Sequence, residues 1–233
     1  MDIDNIKTIR ALISTLRSKG YVIYEEPEKL NIVGVRSSTT IPNKFDDKIY
    51  AFWKAKSGEW KGKQWAATTD PGTYYLNKPL SKLGTAILKE GQYVDSYAVG
   101  LHKGQYSALV QVKPVTVIRD YDRNAVLDFN NGREETGLFG INIHKAGKNS
   151  SDVDQWSAGC QVFSKSADFN NFMELVKKQQ KLYGNKFTYT LIDERSYNRY
   201  LKRVGVYLGI GLALIATWVG YRAYFKRPIL PKF

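Results

Sequence analysis

The chain has 233 residues and a formal net charge of +13, from 35 Lys and Arg against 22 Asp and Glu. This length, with 43% hydrophobic residues, suits one domain with a small appendage and excludes a disordered chain. Residues 1–194 carry a net charge of only +5, so much of the basicity lies near the C-terminus. No basic stripe interleaved with aromatic residues is present, and we expect no nucleic-acid partner.

The N-terminal segment, residues 1–20, is predicted to be an amphipathic helix. It lacks the basic start and uninterrupted apolar run of a secretory signal, so we expect no export by that route. Gly20 follows the last turn as a stop signal. Apolar residues recur at helical spacing at Ile6, Ile9, Leu12, Ile13 and Leu16.

Residues 21–200 are predicted to form one folded body of the α+β class. Short β-branched and aromatic runs, punctuated by Pro and Gly, favour a mostly antiparallel β domain with flanking helices. A second helix is predicted over residues 168–182 and a late strand over 187–192. The earlier strands are predicted at residues 30–35, 48–53, 73–76, 93–99, 107–112 and 115–119.

Residues 201–233 are predicted to form a membrane anchor with a basic tail. An uncharged, mainly apolar run of 18 residues begins at Val204 and ends at Tyr221. At a rise of about 1.5 Å per residue it nearly matches a hydrocarbon core of roughly 30 Å, which predicts a C-terminal transmembrane helix in a bacterial inner membrane or a virion membrane. Gly205 and Gly209 form a GxxxG pair suited to a homodimer contact. The alternative is a buried core helix.

One constellation of residues has the composition of a cysteine nucleophile site. His144, on a predicted strand, precedes Cys160, the only cysteine, by sixteen residues. A thiol is mostly protonated at neutral pH, so a nucleophilic Cys needs a neighbouring imidazole. Because Gly159 has no side chain, backbone N–H groups at this position can approach a developing oxyanion closely. With Ser157, these are the four predicted catalytic residues.

Each member of this set also has an ordinary structural interpretation. A lone Cys is often a small buried hydrophobic residue, His144 can be a satisfied core histidine, and Ser157 can simply turn the chain. A zinc set of His102, His144 and Cys160 is a further alternative, although one cysteine excludes the usual sites rich in Cys, and we expect no cofactor or metal.

In order and spacing, His144, Ser157, Gly159 and Cys160 resemble the motif of the L,D-transpeptidase catalytic domain, which is a His on a strand, a loop, then Ser/Thr-His-Gly-Cys. The resemblance covers residues 139–168. It implies a β-rich fold, peptidoglycan stem peptides as substrate, Cys160 as nucleophile and His144 as base. Two other families of cell-wall cysteine enzymes, NlpC/P60 and CHAP, place the Cys before the His.

The sequence departs from that motif at three positions. Ala158 replaces the second His, Lys145 replaces the small residue that follows the base, and Val162 replaces a basic or amide residue two positions after the Cys. Part of the substrate-binding pattern is therefore missing or has moved, with Gln161 as a candidate. The substrate specificity is expected to be unusual.

These patterns predict acyl transfer through a thioester on peptidoglycan stem peptides. We expect hydrolysis to be favoured over cross-linking, in a bacteriophage lysis or virion protein. A non-enzymatic membrane-anchored wall-binding or virion structural protein is the alternative. Asp152 and Asp154 are candidates to bind a stem-peptide amine, and the aromatic residues Tyr74, Tyr75 and Trp156 are candidates to line a groove.

Overall fold

The computed structural model describes residue 3, residues 6–130 and residues 132–202. Residues 194–202 are helical. In chain order the other elements are α1 (Ile6–Ser18), β1 (Asn31–Arg36), β2 (Asp47–Lys54), β3 (Trp60–Thr68), α2 (Thr73–Asn77), β4 (Thr85–Leu88), β5 (Gly91–His102), β6 (Tyr106–Gln111), β7 (Val115–Asp120), β8 (Arg133–Gly137), β9 (Ile143–Lys145), a 3₁₀ turn (Asp154–Trp156), β10 (Gln161–Phe163), α3 (Ser166–Tyr183) and β11 (Phe187–Asp193).

A closed barrel organises the sheet, with strands in the order β1, β11, β5, β6, β9, β10, β3 and β2. Two pairs are parallel, β1 with β11 and β9 with β10, and the remaining pairs are antiparallel. Closure leaves no strand of this sheet with an unpaired edge. A separate antiparallel sheet of β4, β7 and β8 lies outside this ring of pairs.

Helix α3 supplies the apolar face that meets the main core. Its buried residues Phe169, Phe172 and Met173 belong to the same cluster as Trp65 of β3 and Phe163 of β10. The rings of Trp65 and Phe172 meet edge to face with centroids 5.6 Å apart, an arrangement that aromatic quadrupoles favour. The apolar spacing along α3 therefore fixes the helix against β3 and β10.

Helix α1 packs in a second cluster, beside strands β1 and β2. Its buried residues Ile9, Leu12 and Leu16 share that cluster with Val33 of β1 and Phe52 of β2. Strand β1 is buried along its whole length because one face meets this cluster and the other the main core. The helix predicted from the Ile and Leu spacing is confirmed, and its apolar stripe is what attaches it.

The predicted fold class is wrong in its transmembrane helix, because no helix in the described residues is long and apolar enough to cross a membrane. Helix α1 has only 13 residues, against the roughly 20 that a span needs, and the 18 residues of α3 include Asp168, Glu174 and Lys177. Both helices have one apolar face. The described fold is α+β with a mostly antiparallel sheet.

The run from Val204 to Tyr221 lies outside the described residues, as do Gly205 and Gly209. The homodimer contact predicted at these two glycines therefore lies outside the described residues as well.

One predicted strand is wrong. Residues 73–76 form the short helix α2, in which the Tyr75 and Leu76 N–H groups donate to the Gly72 carbonyl at 3.1 and 3.2 Å. Leu76 is fully buried beside Ile87 and Leu127. Tertiary packing of this one side chain outweighs the β propensity of a Thr-Tyr-Tyr run.

Candidate active site

Two short parallel strands place His144 beside the residues that follow Cys160. Gln161 of β10 pairs with Ile143 of β9, and Val162 pairs with His144. Side chains alternate along a strand, so Ile143 and Gln161 project to the opposite face of the sheet from His144 and Val162. Continuing the alternation by one residue puts Cys160 on the same face as His144.

Cys160 lies just before β10 and is partly exposed. Its sulfur receives the Asn142 N–H at 3.4 Å, and its thiol donates to the Gly140 carbonyl at 3.4 Å. Burial raises the pKa of the Cys160 thiol, and the Asn142 hydrogen bond and the charge of Lys103 oppose that rise only in part. The resting sulfur is therefore a neutral thiol at neutral pH.

His144 is held as a neutral ring with a defined tautomer. Its Nδ1 lies 2.9 Å from the Lys145 carbonyl, which can only accept, so Nδ1 carries the proton and Nε2 is free to receive one. Burial and the neighbouring His102 lower the pKa of His144 to about 3. Tyr106 adds its hydroxyl at 3.4 Å from Nδ1. No hydrogen bond joins His144 to the Cys160 sulfur in the described residues.

The sequence suggests a role for His102 only as a metal ligand. In the structure its ring stacks on that of His144. The two rings are 4.0 Å apart between centroids, with 20° between their planes. The Asn142 Nδ2 group donates to His102 Nδ1 at 3.1 Å, while the Asn142 backbone N–H donates to Cys160. Asn142 thus links the sulfur to the histidine pair. The sequence signal for this role is the position of Asn142, a polar residue directly before the strand that carries His144.

A cavity of about 450 Å³ brings Cys160, His144, His102 and Asn142 together. Residues 84–86, at the start of the outer sheet, form one wall, and residues 139–142 form another. Tyr75 and Trp156 line it as predicted, whereas Tyr74 does not. The Asp152 and Asp154 side chains also lie outside its lining.

Ser157 and Gly159 shape the turn before the sulfur. The Ser157 hydroxyl donates to the Cys160 carbonyl at 2.8 Å and accepts the Gly159 N–H at 3.1 Å. Gly159 has φ +122°, and a Cβ there would lie 2.2 Å from the Ala86 carbonyl oxygen. Only glycine fits this position. The Cys160 N–H donates to no acceptor in the described residues, so it is the free N–H next to the sulfur.

Gln161 supports this turn from inside the barrel. It is fully buried, its Oε1 accepts the Tyr189 hydroxyl at 2.8 Å, and its Nε2 donates to the Gly159 carbonyl at 3.2 Å. Gly34 of β1 makes room for Tyr189, because a Cβ there would lie 1.9 Å from the hydroxyl oxygen. Gln161 therefore does not face the cavity. Neither does Val162, which is also fully buried.

The zinc alternative gains no support, since no group of three His, Cys, Asp or Glu residues in the described part of the chain is arranged to hold a metal ion.

Comparison with known proteins gives no relative for this chain: no family model, no curated protein and no solved structure matches it.

Proposed function

We propose that the protein is a cysteine acyl-transfer enzyme acting on amide bonds of peptidoglycan stem peptides, with Cys160 as nucleophile and His144 as base. The observation that carries the proposal is the common cavity, which gathers a thiol, an imidazole with an unprotonated Nε2 and the free Cys160 N–H. The peptidoglycan substrate rests on the resemblance of residues 139–168 to the L,D-transpeptidase motif.

The chemistry begins as His144 Nε2 takes the thiol proton and the sulfur attacks the amide carbon. The carbonyl oxygen becomes an oxyanion that accepts the Cys160 N–H, since the Gly159 N–H is used by Ser157. When the C–N bond breaks, His144 returns the proton to the leaving amine. Water then attacks the thioester, His144 takes a proton from it, and the regenerated thiol and a carboxylic acid are released.

The resting protein holds a neutral thiol beside a neutral imidazole rather than a preformed ion pair. Proton transfer is therefore coupled to attack on the bound substrate. The Lys145 carbonyl stabilises the imidazolium that forms, because it accepts a hydrogen bond from Nδ1–H throughout.

The test is mass spectrometry of muropeptides after incubating sacculi with the full chain. We expect shortened stems or opened cross-links with the native protein and none with Cys160→Ala. His144→Gln is expected to slow product formation by about 10² to 10⁴. New L,D cross-links without shortened stems would show that the enzyme catalyses transpeptidation rather than hydrolysis.

A wall-binding module without chemistry is the second candidate, and the raised pKa of Cys160 is the observation that favours it. In that case the native protein and Cys160→Ala would sediment equally with sacculi, and neither would change the muropeptides.

A further inference from the structure

We propose that Lys103 forms a carboxylate-binding subsite at the mouth of the cavity, so that the acyl donor is a peptide with a carboxylate close to the amide under attack. This inference rests on the proposed function, whose substrate class it narrows.

The first observation is the sign of the charge around the sulfur. Lys103 and Arg119 line the cavity, and no Asp or Glu does. Arg119 is already compensated, because its Nε lies 2.8 Å from Glu135 Oε2 and its guanidinium lies over the Phe139 ring. Lys103 forms no ion pair or hydrogen bond in the described residues. The cavity therefore holds one exposed, uncompensated cation, which attracts an anionic group.

The second observation is the backbone that carries this lysine. Residues 103–105 connect β5 to β6, Lys103 and Gly104 have φ +50° and +71°, and the Gln105 N–H donates to the His102 carbonyl at 2.9 Å. A β-turn whose two central residues both have positive φ favours Asn, Asp or Gly at the first of them, so a lysine there costs stability. The turn places Lys103 directly after His102, where the residue lines the cavity.

The third observation is that the motif position two residues after the cysteine carries no cation in this chain. The position that is basic or an amide in the L,D-transpeptidase motif is Val162 here, fully buried and outside the cavity. A cation at Lys103 reaches the same cavity from the opposite side of His144, because β5 and β6 precede β9 in the barrel order.

The experiment compares alkylation of Cys160 by iodoacetate and by iodoacetamide in the full chain. In both reagents the thiolate attacks the CH₂ carbon, a C–S bond forms and iodide leaves. Only iodoacetate carries a carboxylate. Since the chain has one cysteine, the total rate is that of Cys160. Changes in the pKa of the thiol affect both reagents and cancel in the ratio of their rates.

The decisive variant is Lys103→Asn, because Asn tolerates positive φ and removes the charge without straining the turn. We expect an unchanged or higher melting temperature and a fall in the iodoacetate to iodoacetamide ratio on the order of fivefold. Lys103→Arg should retain the ratio. Arg123→Asn is the matched control, since Arg123 is also an exposed cation with φ +58° and lies outside the cavity.

If the ratio of the iodoacetate rate to the iodoacetamide rate is the same in Lys103→Asn and the native protein, the proposed subsite is wrong. Stem-peptide donors with a free or an amidated carboxylate extend the test: the preference for the free acid in kcat/KM should fall in Lys103→Asn. If the native protein cleaves no donor, yet the alkylation ratio depends on Lys103, the enzymatic proposal fails while the anion site stands.

Discussion

The imidazole of His102 lies nearly parallel to that of His144, with 4.0 Å between the ring centroids. Two stacked imidazoles cannot both carry a positive charge at that separation without strong repulsion, and His144 is in addition buried. The arrangement keeps His144, which lines the same cavity as Cys160, unprotonated and therefore able to act as a base.

The free energy of unfolding should depend on pH through His144. Its folded pKa of about 3 is below the ordinary 6.5, so between these values the unfolded chain binds more protons and stability falls as pH falls. His144→Gln removes this dependence. The stability difference between native protein and variant should shrink by about 1 kcal/mol per pH unit as pH falls below about 6.

Urea denaturation at a series of pH values checks this difference. Asp47, with a pKa raised to about 8, and Asp120, raised to about 6, act in the opposite direction but are present in both proteins and cancel. A difference that stays constant from pH 7 to about pH 4 would show that folded His144 protonates normally.

Alkylation of Cys160 by iodoacetamide should keep accelerating in alkaline solution. Because burial raises the pKa of the thiol, the rate is expected to rise by about tenfold per pH unit past the point where a free thiol levels off. The same protein unfolded in urea is the control and should level off earlier. A plateau beginning near neutral pH would instead reveal a preformed thiolate–imidazolium pair.

Gly159→Ala should destabilise the turn before the sulfur by about 2 to 4 kcal/mol, since it adds strain at φ +122° and a clash with the Ala86 carbonyl. Gly58→Ala is matched for positive φ, +85°, but its Cβ would meet nothing within 4 Å. We expect about 1 kcal/mol there. Equal costs in thermal or urea denaturation would mean that the Ala86 strand moves aside freely.

Removing the hydroxyl from two neighbouring buried tyrosines should have opposite effects. Tyr97 and Tyr189 meet edge to face at 5.8 Å, but only Tyr189 donates a hydrogen bond, while the Tyr97 hydroxyl has no partner in the described residues. Tyr189→Phe should cost about 1 to 3 kcal/mol by leaving Gln161 Oε1 unpaired. Tyr97→Phe should be neutral or stabilising in the same denaturation series. A loss at Tyr97 as large as that at Tyr189 would contradict this reading.

Periodicity in the sequence predicts two of the helices, α1 and α3, and several of the strands. The helix over 168–182 corresponds to α3 (Ser166–Tyr183), and the strand over 187–192 to β11 (Phe187–Asp193). Strand β3 (Trp60–Thr68) was missed because Lys, Gly and Gln interrupt its apolar alternation, and β10 is only three residues long. Barrel closure depends on pairings between distant segments, which local patterns do not encode.

For the candidate site, the motif predicts that His144 lies on a strand, which β9 confirms, while the catalytic roles of the four residues stay predictions. It predicts neither the stacked His102 nor the use of Asn142 as a bridge, because the closed barrel alone brings the end of β5 close to the start of β9. The inward orientation of Gln161 follows from its register with β9, which no single strand reveals.

Strand β11, ending at Asp193, is the barrel strand that joins β1 to β5. During synthesis the first strand must therefore wait for more than 150 residues before its parallel neighbour exists. The barrel stays open throughout this interval, and the Tyr189 hydroxyl that steadies the Cys160 turn is absent. A chain that ends before β11 thus carries the Cys160 thiol without the tyrosine hydroxyl that supports the neighbouring turn, so the proposed site can form only after β11 has been synthesised.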